Sequence, residues 1–263
     1  MKQKAALVLN SLLVLALLIF FWQALTVVFH IPAYILPRPL AVARVVGSRF
    51  PSLAASFWLT TQAAAMGLVA SIVVGVAVSL VFAQWRWLRR LLYPYTILLQ
   101  TVPIVAIAPL ILMWMGSGTG SVALIAFLIC LAPIIANTTQ GLISVEENLV
   151  HLFHMHNASA AQILFKLRLP HAMPSLFVGI RISSGIAVIG AIVGELFAGS
   201  SRVGEGGLGY SITYANAQLE TNYLFALVLA AAVLGFLFFF LGVFLEWYFL
   251  HEWHESRRAE SGN

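Results

Sequence analysis

The sequence predicts an all-α membrane protein in which about six transmembrane helices form one domain over residues 1–263. Of these residues, 61% are hydrophobic and only 9% are charged, whereas soluble domains carry about 25% charged residues. A lipid solvent explains this difference because it removes the need for a charged outer surface. The apolar runs do not alternate in polarity as membrane β-strands do. Because a backbone in lipid must satisfy its own hydrogen bonds, each run is predicted to be a helix.

Six apolar segments are long enough to cross a bilayer, which takes about 20 residues each. They fall at about 5–29, 59–83, 92–115, 121–142, 174–198 and 222–249. The first segment follows Lys2 and Lys4, as the apolar core of a signal peptide would. Because it is longer than a usual signal core and no clear cleavage site closes it, we interpret it as an uncleaved first span.

Basic residues flank the apolar segments, so we interpret them as topology signals and predict no nucleic-acid partner. With the N-terminus inside, ten basic residues fall on the inner side: Lys2, Lys4, Arg86, Arg89, Arg90, Lys166, Arg168, Arg181, Arg257 and Arg258. Four fall on the outer side: Arg38, Arg44, Arg49 and Arg202. This excess predicts that both termini lie in the cytoplasm, consistent with an even number of spans.

Two stretches outside the predicted spans have helical patterns. Residues 31–56 are too polar to span, and their apolar residues recur between basic ones, which predicts a short helix on the outer surface. The inner loop, at about 144–173, contains one apolar helical stripe, formed by Ala160, Ile163, Leu164 and Leu167. Pro170 is expected to end this helix. This short helix is either a segment that rests on the lipid surface or a docking element for a soluble partner.

An ionisable residue lies inside the fifth predicted span. Glu195 shares one helix face with Ser183, Ala187 and Ala191, so it is predicted to project toward packed protein rather than lipid. Ionisable residues in spans are costly and are candidates for functional sites. The alternative is a structural carboxylate at the outer end of the span, held by neighbouring backbone or water.

Small residues and prolines mark the other spans. Gly67, Ser71, Gly75 and Ser79 recur every four residues, which predicts close helix packing. Three prolines interrupt the third and fourth spans, where we favour tolerated kinks over freed carbonyls that line a pathway. The candidates for a translocation pathway are Gln100, Thr101, Pro103, Asn137 and Glu195.

No catalytic, metal or cofactor site is predicted. His151, His154 and His156 invite a metal hypothesis, but only two of them share a helix face and neither Cys nor Asp accompanies them. The chain has no Walker lysine motif. It is therefore predicted to bind no cofactor of its own, and any ATP and Mg²⁺ would be bound by a partner subunit.

The run LRLPHAMPSLFVGIRISSG at residues 167–185 resembles the signature of binding-protein-dependent transport permeases. The resemblance places Asn157 at the family's usual loop glycine and implies that residues 150–169 form the helix that couples to an ATPase. The coupling residues it implies are Asn157, Ala158, Ser159, Lys166, Arg168, Leu169 and Pro170. It further implies a type I ABC importer permease in the cell inner membrane. The implied partners are cytoplasmic ATPase subunits, an external solute-binding protein, a second permease copy in a homodimer, and membrane lipid.

Further motifs resemble the nitrate, sulfonate and taurine subgroup, and residues 214–250 look like permeases for riboflavin or thiamine precursors. Within the predicted spans, Arg181 is the only Lys or Arg, whereas a bound oxyanion usually needs a cation nearby. This favours a neutral or aromatic heterocycle, with nitrate, taurine or an aliphatic sulfonate as alternatives. Two other classes remain open at this point: a membrane enzyme with a catalytic Glu195, and a membrane protein without a transport role.

Overall fold

The computed structural model describes residues 2–199 and 206–260, and in these ranges the chain is helical with no strand, so the all-α fold is confirmed. Arg202 lies outside the described residues. The helices are α1 (Lys2–Val28), α2 (Pro39–Ser48), α3 (Phe50–Gln84), α4 (Arg86–Leu98), α5 (Ile104–Met115), α6 (Thr119–Ile143), α7 (Glu147–Met155), α8 (Ala160–Ile163), α9 (Leu169–Ala198), α10 (Leu208–Ala217) and α11 (Thr221–Glu260). A π-helical turn, Leu164–Arg168, joins α8 to α9.

Four helical stretches in the described residues are long and apolar enough to cross a membrane. They are Phe50–Gln84, Thr119–Ile143, Ala160–Ala198 and Thr221–Leu250. The 27-residue α1 covers the first predicted segment, and α2 confirms the short helix predicted in residues 31–56.

The third predicted span is not one helix, and this part of the prediction was wrong. The chain forms α4, breaks at residues 99–103, and continues as α5, which begins directly after Pro103. Proline donates no backbone hydrogen bond and pushes the residue before it toward extended conformations, so a helix rarely passes through this position. Pro109 and Pro133, by contrast, lie inside α5 and α6 and interrupt neither.

Helices α6 and α9 form the centre of the bundle, and α3 packs mainly against α6 and also contacts α9. The predicted small-residue stripe of α3 is buried. At Gly67, an added Cβ would lie 2.6 Å from the carbonyl oxygen of Ala123 and 2.6 Å from the Cβ of Ala126. On the other side, Ser183 Oγ of α9 donates to the carbonyl oxygen of Cys130 over 3.1 Å. Backbone contact without intervening side chains therefore joins α3 to α6, as the stripe predicted.

We expect Gly67→Ala to destabilise the bundle by about 1–3 kcal/mol, because the methyl group has no room between α3 and α6. Gly235→Ala in α11 is the matched control, since an added Cβ there meets no atom within 4 Å. Thermal unfolding in detergent should show a lower midpoint for the first variant and an unchanged or higher one for the second. Equal midpoints would contradict the packing described.

Helix α7 connects the long helices at one end of the bundle, the α7 end, and α10 connects them at the other, the α10 end. At the α10 end, Arg49 binds Glu220 through both terminal guanidinium nitrogens, and its Nη2 donates to Glu220 Oε1 over 2.7 Å. The Arg49 guanidinium also lies 4.9 Å from the ring centroid of Tyr223. These contacts fasten the corner between α2 and α3 to the start of α11.

The ion pair predicts a pH dependence at this end. The hydrogen bond from Arg49 holds the pKa of Glu220 below its usual range, so the pair stabilises the fold above the unfolded pKa of about 4.3. This stabilisation is lost as pH falls through the lowered pKa of the folded protein. Because both side chains are partly exposed, the effect should be below about 1 kcal/mol. In the Glu220→Gln variant, the thermal unfolding midpoint should fall less between pH 6 and pH 3.5 than in the unaltered protein, by an amount that corresponds to less than about 1 kcal/mol. An identical pH profile of the two proteins would contradict this role.

Candidate functional sites

Glu195 lies in a buried hydrogen-bond cluster at the α10 end, where α3, α9 and α10 meet. Its Oε2 accepts from the backbone N–H of Gly209 over 2.9 Å and from the hydroxyl of Thr60 over 2.9 Å. The Thr60 oxygen in turn accepts from the backbone N–H of Leu208 over 2.8 Å. The carboxylate and the hydroxyl therefore satisfy the first N–H groups of α10, which would otherwise be unpaired.

The same cluster fixes α10 sterically. An added Cβ at Gly207 would lie 1.9 Å from Glu195 Oε1, so the carboxylate rests directly against this glycine. Ser56 and Ser211 extend the polar contacts, with their hydroxyl oxygens 2.8 Å apart. As predicted, the side chain of Glu195 points to packed protein and is only 6% exposed. Sequence reasoning missed Thr60, because 135 residues separate it from Glu195 and no local pattern marks the pair.

A cavity of about 430 Å³ adjoins Glu195 at the α10 end, between the ends of α3, α6 and α9. Its polar lining includes Ser117, Thr119 and Tyr210. The other pathway candidates do not line it. Gln100, Thr101 and Pro103 lie exposed in the break between α4 and α5. Asn137 lies between α6 and α9 and donates to the carbonyl oxygen of Pro133 over 2.8 Å.

At the α7 end, Asn157 forms a sharp turn between α7 and α8. Its φ of 53° is left-handed. The N–H of Asn157 bonds to the carbonyl of His154 over 2.9 Å, and that of Ala158 to Phe153 over 3.0 Å. This is the Schellman pattern, with asparagine in the position usually taken by glycine. The turn expected from the resemblance is therefore present in this chain.

The chain restarts as a helix immediately after this turn. Ser159 accepts a hydrogen bond from the backbone N–H of Gln162, and the Gln162 side chain accepts one from the N–H of Ser159 over 2.8 Å. This reciprocal capping box fixes the direction of the new helix. One helix thus ends and the next begins, in a defined direction, across Asn157, Ala158 and Ser159.

The expected end of this helix at Pro170 was wrong. The helix continues from Ala160 through the π turn and Pro170 to Ala198. The π turn, in which the Leu169 N–H bonds to the Leu164 carbonyl, directly precedes Pro170. The regular α-helical hydrogen-bond pattern, which proline cannot continue, is therefore already interrupted at this point. The predicted apolar stripe faces the bundle, since Ile163 and Leu164 are buried. Arg168 also faces inward and donates to the carbonyl of Ala83 over 2.8 Å.

Helix α7 presents apolar side chains to the surroundings of the bundle. None of its residues is buried, and Met155 is 80% exposed. A groove of about 320 Å³ runs between α7 and the following helix and is lined by Leu152, Phe153, His156, Ala158, Gln162 and Lys166. Within the described chain, no three metal-ligating side chains come together, and His154 and His156 face different cavities.

A partly buried ion pair between α9 and α11 was not predicted from the sequence. Arg181 of α9 donates from Nη1 to Glu246 Oε2 of α11 over 2.8 Å. Because an unpaired charge in lipid is costly, each side chain neutralises the other. Arg181 had been recognised as a cation in a span, but its partner lies 65 residues away and carries no local signal.

Comparison with known families decides the identity of the bundle. Residues 67–247 match the model of the family described as the binding-protein-dependent transport system inner membrane component. This range covers more than half of the chain and includes Glu195, the Asn157 turn and the Arg181–Glu246 pair. The chain belongs to this permease family.

Three similar permeases carry names that state a substrate. The riboflavin transport system permease protein of Chloroflexus aurantiacus is 35% identical over 237 residues, covering 88% of this chain and 85% of its own. The formylaminopyrimidine transport permease protein of Halalkalibacterium halodurans is 31% identical over 230 residues, covering 83% and 88%. The taurine transport system permease protein of Escherichia coli is 26% identical over 227 residues, covering 84% and 81%.

The chain is therefore a multi-pass inner-membrane permease of an ABC importer. Membership of the family implies an ATPase partner and a solute-binding partner. Its relatives are transport components, so the hypotheses of a membrane enzyme with a catalytic Glu195 and of a membrane protein without a transport role were wrong.

The left-handed conformation of Asn157 gives a further prediction. Asn157→Gly should leave stability unchanged or raise it by up to about 1 kcal/mol, whereas Asn157→Val should lower it by about 1–2 kcal/mol. The physical reason is that a β-branched side chain is strained at φ 53° and glycine is not. Thermal unfolding of the purified permease checks this order, and a valine variant as stable as the glycine variant would contradict the turn.

Proposed function

We propose that this permease carries a small neutral or aromatic heterocycle of the riboflavin or thiamine-precursor kind into the cell. The observation that carries the proposal is the Arg181–Glu246 pair. Arg181 is the only Lys or Arg between Pro170 and Ala198, and its charge is already neutralised. An oxyanion would thus find no free cation at this depth of α9. The similarity to the riboflavin and formylaminopyrimidine permeases supports the same class.

An anion remains the second candidate because the taurine permease is also similar. Helix N-termini and neutral donors can bind anions without a basic side chain. The two candidates differ in the solute that the external binding protein must capture. Nitrate and aliphatic sulfonates belong to the same anionic alternative.

For coupling, we propose that the segment at 144–173 lies in the cytoplasm and docks on the ATPase subunits. The exposed apolar side chains of α7 and the groove next to it would form the contact, with Lys166 at its edge. Asn157, Ala158 and Ser159 would set the angle between α7 and the long helix. A movement of α7 would reach α9 through Arg168, Leu169 and Pro170, because no break separates these residues from the spanning helix.

For translocation, two permease copies would form a central pathway, with both termini of each copy in the cytoplasm. Gln100, Thr101, Pro103 and Asn137 would supply polar groups along it, and Glu195 would hold α10 at its outer end. The permease itself would need no cofactor, because the ATPase subunits would bind ATP and Mg²⁺. Movement of α7 would then shift the long helix and change the access to the pathway.

Uptake by the reconstituted importer tests the substrate class. Proteoliposomes containing the permease, its ATPase and its solute-binding protein should accumulate a labelled flavin or aminopyrimidine when ATP is supplied. Taurine and nitrate should neither accumulate nor compete with it. Accumulation of taurine or nitrate in place of the heterocycle would overturn the proposed class and support the anionic one.

A further inference from the structure

A cationic cavity of about 360 Å³ lies at the α7 end, where the corner between α3 and α4 meets α7 and the start of the long helix. Arg86, Arg89 and Arg168 line it together with His154, and no carboxylate is among its lining residues. Three guanidinium groups that share one cavity repel one another unless an anion lies between them. The cavity is separate from the Glu195 cluster and from the groove on the other side of α7.

The charges of this cavity are not neutralised within the described residues. The described residues form two salt bridges, Arg49–Glu220 and Arg181–Glu246, and neither involves an arginine of this cavity. Arg168 is held in place by its hydrogen bond to the carbonyl of Ala83, while its buried Nε has no hydrogen-bond partner.

The backbone adds to the positive potential. Helix α4 begins at Arg86 on the edge of the cavity, and no side chain caps its first N–H groups. The N-terminal end of a helix carries a partial positive charge that favours phosphate oxygens. The three arginines and the uncapped helix start therefore point to the same ligand chemistry.

We propose that this cavity binds the phosphate of an anionic membrane phospholipid. The surface of α4 favours a lipid over a free phosphate ion, because Trp85, Trp87, Leu91 and Tyr95 are exposed beside the arginines. Aromatic side chains of this kind lie at the level of lipid headgroups, and basic pockets between spanning helices bind anionic headgroups. The headgroup would enter the cavity while its acyl chains lie along the apolar surface of α4.

Lipid binding to the full-length permease, purified in the complex in which it is isolated, tests this site. Phosphatidylglycerol should remain bound in native mass spectrometry and should raise the unfolding midpoint, whereas phosphatidylcholine should do neither. Arg86→Gln combined with Arg89→Gln should weaken phosphatidylglycerol binding about tenfold or more, because two charges near the headgroup are lost. Arg86→Lys combined with Arg89→Lys keeps the charge and should retain most of the binding.

Arg90→Gln is the matched control, since Arg90 lies on the same helix, is exposed and does not line the cavity. It should bind phosphatidylglycerol as the unaltered permease does. Equal weakening by Arg90→Gln and the glutamine double variant would show a diffuse charge effect and overturn the site. Full stabilisation by inorganic phosphate alone would overturn the lipid assignment. Loss of the ATPase from the double variant with unchanged lipid binding would assign the cavity to a protein partner instead.

Discussion

Glu195→Ala is expected to lower ATP-dependent uptake at least tenfold. The substitution leaves the buried N–H of Gly209 without an acceptor and removes one of two acceptors of the Thr60 hydroxyl, which keeps the carbonyl oxygen of Ser56. Leaving a buried donor unsatisfied costs about 1–3 kcal/mol, which would weaken the attachment of α10 to the end of the bundle. Uptake by proteoliposomes, together with the unfolding midpoint of the purified complex, measures both effects.

Matched variants separate the hydrogen bond from the side-chain volume. Glu195→Gln keeps an oxygen acceptor and should retain more uptake than Glu195→Ala. Thr60→Ser keeps the hydroxyl and should behave as the unaltered permease, whereas Thr60→Val should resemble the loss at Glu195. If Glu195→Ala transports at the unaltered rate with an unchanged midpoint, the cluster neither orders α10 nor supports transport.

The second large effect is expected on α7. Leu152→Glu combined with Met155→Glu should abolish retention of the ATPase, because both side chains are exposed apolar groups on the proposed docking surface. Placing unpaired carboxylates in an apolar contact costs several kcal/mol, which corresponds to a loss of affinity of about 100-fold or more. Co-purification of the ATPase with the tagged permease measures the change.

Leu219→Glu is the control for this pair. Leu219 is 85% exposed but follows α10, at the opposite end of the bundle. Its substitution should leave the ATPase bound. Retention of the ATPase by the α7 double variant would contradict the docking surface, and loss of the ATPase from both proteins would indicate a general fault in folding.

Hydropathy was sufficient to predict most of this fold. Long apolar runs gave α1, α3, α6 and α11, because a bilayer imposes a minimum length on each crossing. The four-residue spacing of small residues predicted that Gly67 contacts a neighbouring helix and that Glu195 lies on a packed face, as the structure shows. These signals are local, so a single sequence contains them.

The errors arose where distant contacts decide the local structure. Pro103 and Pro170 each follow an apolar residue, yet the first lies at a break in a predicted span and the second lies within the continuous helix Ala160–Ala198. The difference at Pro170 comes from the π turn and from Arg168, whose hydrogen bond ties this turn to the end of α3. The partners Thr60 and Glu246 are likewise far away in sequence, and only the packed bundle brings them to Glu195 and Arg181.

Cysteine labelling at Met155 tests most directly whether α7 lies in the cytoplasm and contacts the ATPase. The native Cys130 is fully buried and should not react, so Met155→Cys supplies one accessible thiol. A membrane-impermeant maleimide should label this variant in inverted membrane vesicles but not in intact cells, and bound ATPase should protect it. Labelling from the outside of intact cells would contradict the account.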